Sequence, residues 1–153
     1  FIDDFFNISR FLRLFIQIAT SSFFLYSSNY INIIKSNGNF IIECIFIALI
    51  ILICTGIINF CNFMDGIDGI LTGSFITIYI FSSFLISEPL WGITGALLGF
   101  LLWNWQPSKI FMGDIGSNFL GGTLIWILLN TSNINNSIGL FLIASPILID
   151  PLI

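Results

Sequence analysis

Residues 40–58 read FIIECIFIALIILICTGII, an apolar run in which Glu43 is the single charged residue. A helix needs about 20 predominantly apolar residues to cross the hydrocarbon core of a bilayer, so this run predicts a transmembrane helix. Further apolar runs, separated by short polar segments, lie on both sides of it. Together they predict about six spans, at about residues 11–28, 40–58, 70–86, 90–105, 115–129 and 138–149.

The composition extends this prediction to the whole chain. Of the 153 residues, 57% are hydrophobic and 8% are charged, whereas soluble domains carry about 25% charged residues. Because so few charges cannot cover a surface that faces water, the surface is expected to face lipid. The expected fold is all-α, a polytopic membrane helical bundle in a single domain. Nucleic-acid binding is excluded, because it needs clustered Lys and Arg and this chain has only 4 of them at a net charge of −4.

The chain contains no histidine, and its three cysteines lack the CxxC spacing of a metal site. The absence of histidine removes histidine general-base chemistry and the commonest zinc ligand. Chemistry in this protein is therefore expected to rest on carboxylates, amides and a hard metal ion.

Counting crossings from the N-terminus places most of the charged side chains at one membrane face. The carboxylates there are Asp3, Asp4, Asp65, Asp68, Asp114 and Asp150, and the cations are Arg10, Arg13 and Lys109. By the positive-inside rule this face is cytoplasmic. Charged residues also collect in loops simply because the membrane excludes them, and that explanation suffices for Glu88 and Asp150.

The other five aspartates at this face occur in tight clusters with amides and glycines. Like charges so close together repel one another unless a cation holds them, and the nearby cations are too few. A bound divalent ion resolves the repulsion, and an all-oxygen ligand set favours Mg2+ or Mn2+ over zinc. The sequence therefore predicts a metal site at the cytoplasmic membrane surface.

The stretch FCNFMDGIDG, residues 60–69, follows Asn59, where the second span is expected to end. It places Asn62, Asp65 and Asp68 in a turn, and such side chains ligate metal or bind the edges of a base or ribose. For the DxxD spacing alone, an Asx-turn with helix capping is the alternative explanation. The two upstream asparagines favour the functional interpretation.

The stretch WNWQPSKIFMGDIGSNFLGG, residues 103–122, joins the fourth and fifth spans. Pro107 is expected to end the fourth span, and Asp114 to begin the fifth as its N-cap. A carboxylate at a helix start beside glycines is also typical of a metal-bridged phosphate site, because a helix N-terminus favours anions. Lys109 lies five residues earlier on the same membrane face.

Residues 3–17 (DDFFNISRFLRLFIQ), 59–69 (NFCNFMDGIDG) and 103–122, in this order, resemble the polyprenyl-phosphate N-acetylhexosamine-1-phosphate transferases, or glycosyltransferase family 4. The loop NFMDGIDG is more similar to the branch that starts O-antigen synthesis than to the peptidoglycan branch, whose loop usually reads NLTDGLDG. Family members have about ten helices and a histidine-rich loop after the span that corresponds to the sixth. The resemblance therefore implies that residues 1–153 are a transmembrane catalytic domain truncated at both ends.

The resemblance implies an enzyme, a Mg2+-dependent phosphotransferase in the bacterial inner membrane with its active site facing the cytoplasm. Such enzymes transfer a sugar 1-phosphate from a UDP-N-acetylhexosamine-type donor to polyprenyl phosphate, and UMP is released. Mn2+ is the alternative metal. The identity of the sugar, the length of the lipid and the existence of a homodimer stay open.

The resemblance also implies roles for individual residues. Asp3 and Asp4 match an aspartate pair that handles the metal and the lipid phosphate, and Asp3 is the proposed general base of that pair. Asp114 matches a Mg2+ ligand. These three are the expected catalytic residues, and Asp4 and Asp114 are the expected metal ligands. The expected substrate-binding residues are Asn59, Asn62, Asp65, Asp68, Asn104 and Lys109. Arg13 and Gln17 follow a looser pattern of a basic residue and a glutamine.

Two other functions remain as alternatives. An acidic-site ion transporter or channel would place ionisable groups near the bilayer midplane or in broken helices, whereas this chain keeps its aspartates at the ends of spans. A membrane scaffold that presents acidic loops to a partner would need the loops' charge but not their residue identities.

Overall fold

A computed structural model describes residues 9–35, 38–85, 89–131 and 134–149, and every regular element in these ranges is a helix. The helices are α1 (Arg10–Ser27), α2 (Tyr30–Lys35), α3 (Phe40–Met64), α4 (Ile70–Ser82), α5 (Trp91–Asn104), α6 (Gly113–Asn130) and α7 (Ile134–Ile149). The all-α prediction is confirmed.

The core of the bundle is the packing of α3 against α6, and α1 packs against both. Helices α4 and α5 form an antiparallel pair, in which Phe84 after α4 contacts Trp91 at the start of α5. Helix α7 covers parts of α3, α4 and α6. The largest fully buried side chains include Tyr79, Phe75 and Leu124. These apolar contacts between distant parts of the chain hold the loops that carry the polar residues.

One glycine sets how closely α3 and α6 approach each other. A Cβ atom added at Gly121 would lie 2.9 Å from the Cα atom of Ile58 and 3.4 Å from the Cβ atom of Cys61. The first distance is shorter than real Cβ contacts, and the atom it meets belongs to backbone, which cannot rotate away. The α3–α6 contact therefore requires glycine at position 121.

The helices differ from the predicted spans in four places. The last helix, α7, begins at Ile134 and not at residue 138. Helix α3 runs on to Met64, so that Asn59 and Asn62 lie within a helix and not in the turn expected after residue 58. The short helix α2 occupies a segment expected to be a loop. Helix α4 ends at Ser82, where the serine hydroxyl bonds to the carbonyl of Ile78, earlier than residue 86.

The outer surface of the bundle is apolar over most of its length. Phe11, Phe40, Leu52 and Leu102 each expose more than 70% of their surface, and exposed patches of that extent are rare in water-soluble monomers. Within the described ranges, α3 is the helix that is both long and apolar enough to cross a membrane by itself, with 25 residues. Helices α4 and α5 are apolar but have 13 and 14 residues.

Hydrogen bonds and ion pairs between helix ends agree with the sidedness that the crossing count predicts. At one end, Arg13 near the start of α1 meets Asp114 at the start of α6, and Asp65 after α3 meets Gly113. At the other end, Tyr30 of α2 bonds to Ser137 of α7. We call the first end the acidic end of the bundle.

Candidate active site

Three chain segments meet at the acidic end: the first turns of α1, the loop 65–69 between α3 and α4, and the loop 105–112 between α5 and α6. They meet because α3 and α6 are packed side by side with Asp65 at the end of one and Gly113 at the start of the other. Carboxylate, amide, hydroxyl and guanidinium groups thus lie together at the edge of an apolar bundle.

Asp65 holds the start of α6. Its carboxylate accepts the backbone N–H of Gly113 at 2.6 Å. That N–H has no partner inside its own helix, so a carboxylate from elsewhere in the chain satisfies it. Partial burial raises the pKa of Asp65 and the charge of Asp114 adds to the rise, while hydrogen bonds from the backbone of Gly113 and Met112 act in the opposite direction. Asp65 therefore lies near a second acid, Asp114, at the start of α6.

Asp114 lies second in α6, which begins at Gly113, so the prediction that Asp114 is the N-cap was wrong. The reason is that Asp65 already bonds to the N–H of Gly113, whose φ of 73° starts the helix in a conformation that favours glycine. The carboxylate of Asp114 is left to pair with Arg13, at 2.6 Å between Oδ2 and Nη1, with both side chains 40% exposed.

The two asparagines near the end of α3 differ in environment. Asn62 accepts a hydrogen bond from the hydroxyl of Ser117 at 2.7 Å, which places it beside the first turn of α6. Asn59 is exposed and donates to the carbonyl of Thr55 in its own helix at 3.1 Å. Of the two asparagines, Asn62 is thus the one that hydrogen-bonds to α6 in the part of the chain that the structure describes.

Asp68 fastens the loop 105–112 to the loop 65–69. Its two carboxylate oxygens accept the hydroxyl of Ser108 at 2.5 Å and the backbone N–H of Ser108 at 3.1 Å. The hydroxyl and the N–H of Ser108 hold the pKa of Asp68 below its ordinary value. The carboxylate of Asp68 therefore joins the two loops that lead into α4 and α6.

Asn104 and Lys109 complete the predicted set. Asn104 is buried, accepts the hydroxyl of Thr72 at 2.8 Å and donates to the carbonyl of Ile110 at 2.9 Å, so its amide anchors the loop after α5. The ammonium of Lys109 lies 5.4 Å from the ring centroid of Trp103. These contacts place Asn104 at the base of the loop 105–112 and Lys109 within that loop.

The donor set at the acidic end suits a hard divalent ion, since it offers carboxylate, amide and hydroxyl oxygens. Among the residues that the structure describes, however, no three carboxylates, histidines or cysteines come together. Asp65 and Asp114 supply two acids. The predicted residues Asp3 and Asp4 lie outside the described residues, so their part in a metal site stays a prediction.

Sequence reasoning missed the hydrogen-bond partners of the predicted residues. Ser108 and Ser117 bond to Asp68 and Asn62, and Gln17 of α1 bonds to Asn118 of α6. Ser117 and Asn118 stand directly after the FMGDIG segment, and this position is the signal in the sequence that associates them with Asp114.

Together, the fold and the site define an all-α membrane bundle with an acidic site at one end. The chain belongs to glycosyl transferase family 4, which it matches over residues 1–132. This result confirms the family that the three motifs resemble.

Several curated relatives carry the name phospho-N-acetylmuramoyl-pentapeptide-transferase. The protein from Shouchella clausii is 41% identical over 95 residues, which are 57% of this chain and 29% of that protein. The Staphylococcus aureus protein is 42% identical over 95 residues, 56% and 30% of the two chains. The Staphylococcus carnosus protein is 33% identical over 133 residues, 74% and 41%.

These matches cover less than half of each relative's length. No solved structure matches the chain significantly. The relatives' names do not support the O-antigen branch to which the loop NFMDGIDG is similar.

Proposed function

We propose that the protein to which this chain belongs transfers a sugar 1-phosphate from a UDP-sugar to polyprenyl phosphate and releases UMP. The observation that carries the proposal is the meeting of Asp65, Asp114 and Arg13 at the N-terminus of α6, at the edge of an apolar bundle. A site there can meet a water-soluble nucleotide from one side and a lipid phosphate from the other.

In the proposed reaction, an oxygen of the lipid phosphate attacks the β-phosphorus of the donor. A new P–O bond forms, the bond to the bridging oxygen breaks, and its electron pair leaves with UMP. The lipid phosphate is already an anion near neutral pH, so positioning and positive charge carry more of the acceleration than proton removal by an aspartate of ordinary pKa.

The chain's own groups supply part of that positive charge. The guanidinium of Arg13 is suited to phosphate oxygens, because its N–H groups form paired hydrogen bonds with them. The N-terminal end of α6 also favours anions through its helix dipole, although the N–H of Gly113 itself already bonds to Asp65. Both lie at Asp114. The donor's phosphates would therefore bind where α1 meets α6.

A divalent ion, Mg2+ or Mn2+, is part of the proposal. Asp114 and Asp65 among the described residues, with Asp4 from the N-terminal motif, would hold it. When bound, such an ion would neutralise the diphosphate and stabilise the departing UMP. Asp3 would then act at the lipid phosphate, as a base or as a further ligand.

The donor is proposed to be of the UDP-N-acetylhexosamine type. Two donors fit this proposal. The loop NFMDGIDG favours the simple hexosamine donor of the O-antigen branch, whereas the relatives' names favour a donor that carries phospho-N-acetylmuramoyl-pentapeptide. The proposed location is the bacterial inner membrane, with the acidic end facing the cytoplasm. Transport of ions is less well supported, because the acids lie at helix ends.

The experiment is a transfer assay on the full-length protein in detergent or vesicles. Radiolabelled UDP-N-acetylglucosamine and UDP-N-acetylmuramoyl-pentapeptide would each be incubated with polyprenyl phosphate and Mg2+, and the lipid-linked product extracted and counted. Product from one donor supports the proposal and identifies the branch. If none of a wider panel of UDP-sugars gives product, while the protein is folded, the proposal is wrong and transport becomes the better explanation.

A further inference from the structure

A polar contact lies one helical turn below the Arg13–Asp114 ion pair. The side-chain amide of Gln17 donates to the side-chain oxygen of Asn118 at 3.2 Å. Gln17 follows Arg13 by four residues on α1, and Asn118 follows Asp114 by four residues on α6. Residues four apart lie on the same face of a helix, so the two contacts join the same two helices one turn apart.

The surroundings of the Gln17–Asn118 contact limit how far α1 can shift against α6. Gln17 is 7% exposed, and a buried amide that loses its partner costs about 1–3 kcal/mol. The two helices also stay near each other below this contact, because a Cβ atom at Gly122 of α6 would lie at ordinary contact distance, 3.8 Å, from the ring of Phe24 of α1. The Gln17–Asn118 contact therefore holds α1 and α6 in one register.

We propose that Gln17 and Asn118 are positioning residues, which fix α1 against α6 and thereby set the geometry of Arg13 and Asp114 for the donor's phosphates and the metal ion. This inference rests on the proposed function. Neither residue is proposed to touch substrate. The sequence motifs give Asn118 no role, whereas its contact with Gln17 does.

The test is a double-mutant cycle in the full-length protein with Gln17→Met, Asn118→Ala and the pair together. The readouts are kcat and KM for the UDP-sugar and, independently of turnover, Mn2+ binding followed by electron paramagnetic resonance. Loss of a group that orients a metal ligand lowers metal affinity or activity by roughly 10- to 100-fold. We expect each single variant to show such a loss in kcat and in Mn2+ affinity, with KM changed less than threefold.

The pair together should lose no more than either single variant, because both substitutions break one contact. Tyr30→Phe is the matched control, since it removes a hydrogen bond between helices at the opposite end. It should lower thermal stability without changing Mn2+ affinity. If Gln17→Met does not accumulate, the test uses Asn118→Ala and the exchanged pair Gln17→Asn with Asn118→Gln. The exchanged pair should retain more than half of the wild-type Mn2+ affinity.

Losses that add in the double variant, or Gln17 variants that lose only thermal stability as Tyr30→Phe does, would overturn the inference. Asp114→Asn measured in parallel separates this from the proposed function. If Asp114→Asn is inactive while the Gln17 and Asn118 variants keep wild-type kcat and Mn2+ affinity, the proposed function stands and the positioning role is wrong.

Discussion

The carboxylate of Asp65 accepts the backbone N–H of Gly113 across 48 residues of sequence, at a distance of 2.6 Å. Asp65 ends α3 and Gly113 begins α6, so this bond joins the two helices that form the core of the bundle at the level of the site. It also leaves Asp114, the next residue, to face Arg13. The geometry of the site thus depends on an acid that is itself expected to bind substrate.

Two substitutions at position 65 separate its structural role from its expected functional role. Asp65→Asn keeps an oxygen that accepts the N–H of Gly113, whereas Asp65→Ala removes it. We expect Asp65→Asn to unfold near the wild-type temperature, and Asp65→Ala to lose about 1–2 kcal/mol, the usual cost of a lost helix cap. Both should lose donor binding, measured by titration with UDP-sugar. Full donor affinity in Asp65→Asn would show that Asp65 serves only the helix.

Gly121 provides a test of the packing between α3 and α6. Gly121→Ala places a methyl group 2.9 Å from the Cα atom of Ile58, and overpacking of this kind costs about 1–3 kcal/mol. Gly95→Ala on α5 is the matched control, because a Cβ atom there meets nothing within 4 Å in the described residues. Thermal unfolding in detergent should show a loss for Gly121→Ala alone. Equal transition temperatures would contradict the close α3–α6 contact.

The contact between Asp68 and Ser108 predicts a dependence on pH. The hydroxyl and N–H of Ser108 lower the pKa of Asp68 in the folded protein. The contact therefore stabilises the fold at pH values above the ordinary pKa of an aspartate. This stabilisation is lost as the pH falls through the lowered pKa of Asp68. Ser108→Ala should move this loss to higher pH. Hydrogen exchange of residues 105–112, corrected for the intrinsic effect of pH, measures the midpoint.

Ser145→Ala is the control for that experiment, because its hydroxyl bonds to the carbonyl of Leu142 within its own helix. It should leave the midpoint in the loop unchanged. A midpoint that is the same in Ser108→Ala and in the wild type would mean that Ser108 does not set the pKa of Asp68.

Asn104 is expected to act mainly as an anchor. Its amide bonds to Thr72 on one side and to the carbonyl of Ile110 on the other. Asn104→Leu would leave both partners without a bond, at about 1–3 kcal/mol for a buried group. We therefore expect a lower unfolding temperature and faster hydrogen exchange in residues 105–112. Unchanged exchange, with donor affinity lost, would instead assign Asn104 directly to the substrate.

The sequence predicts the helices better than their ends. Long apolar runs identify α3 and the other long helices, because a helix that crosses a bilayer needs about 20 predominantly apolar residues. The end of α3 was misplaced because Asn59 and Asn62 are residues typical of turns, yet Asn62 is held in the helix beside Ser117. Tertiary contacts override local preference at such positions.

The site shows the same division. Glycines and acids in the two loops indicate where the chemistry is expected, since their spacing is visible along the chain. The pairing of Asp65 with Gly113, and of Gln17 with Asn118, depends on which helices pack together. A single sequence does not show which helices pack together. The N-cap prediction at Asp114 was therefore wrong, because the carboxylate that bonds to the start of α6 is that of Asp65, which is distant in sequence.

The most direct test of the central claim is the turnover of Asp114→Asn in the full-length protein, at the Mg2+ concentration that saturates the wild type. Thermal unfolding of the same sample would establish that the variant is folded, since asparagine at this position keeps the size of the side chain. We expect lipid-linked product to be abolished and Mn2+ binding to be lost with it. A folded Asp114→Asn protein that turns over at the wild-type rate would contradict the assignment of this acidic end as the site of transfer.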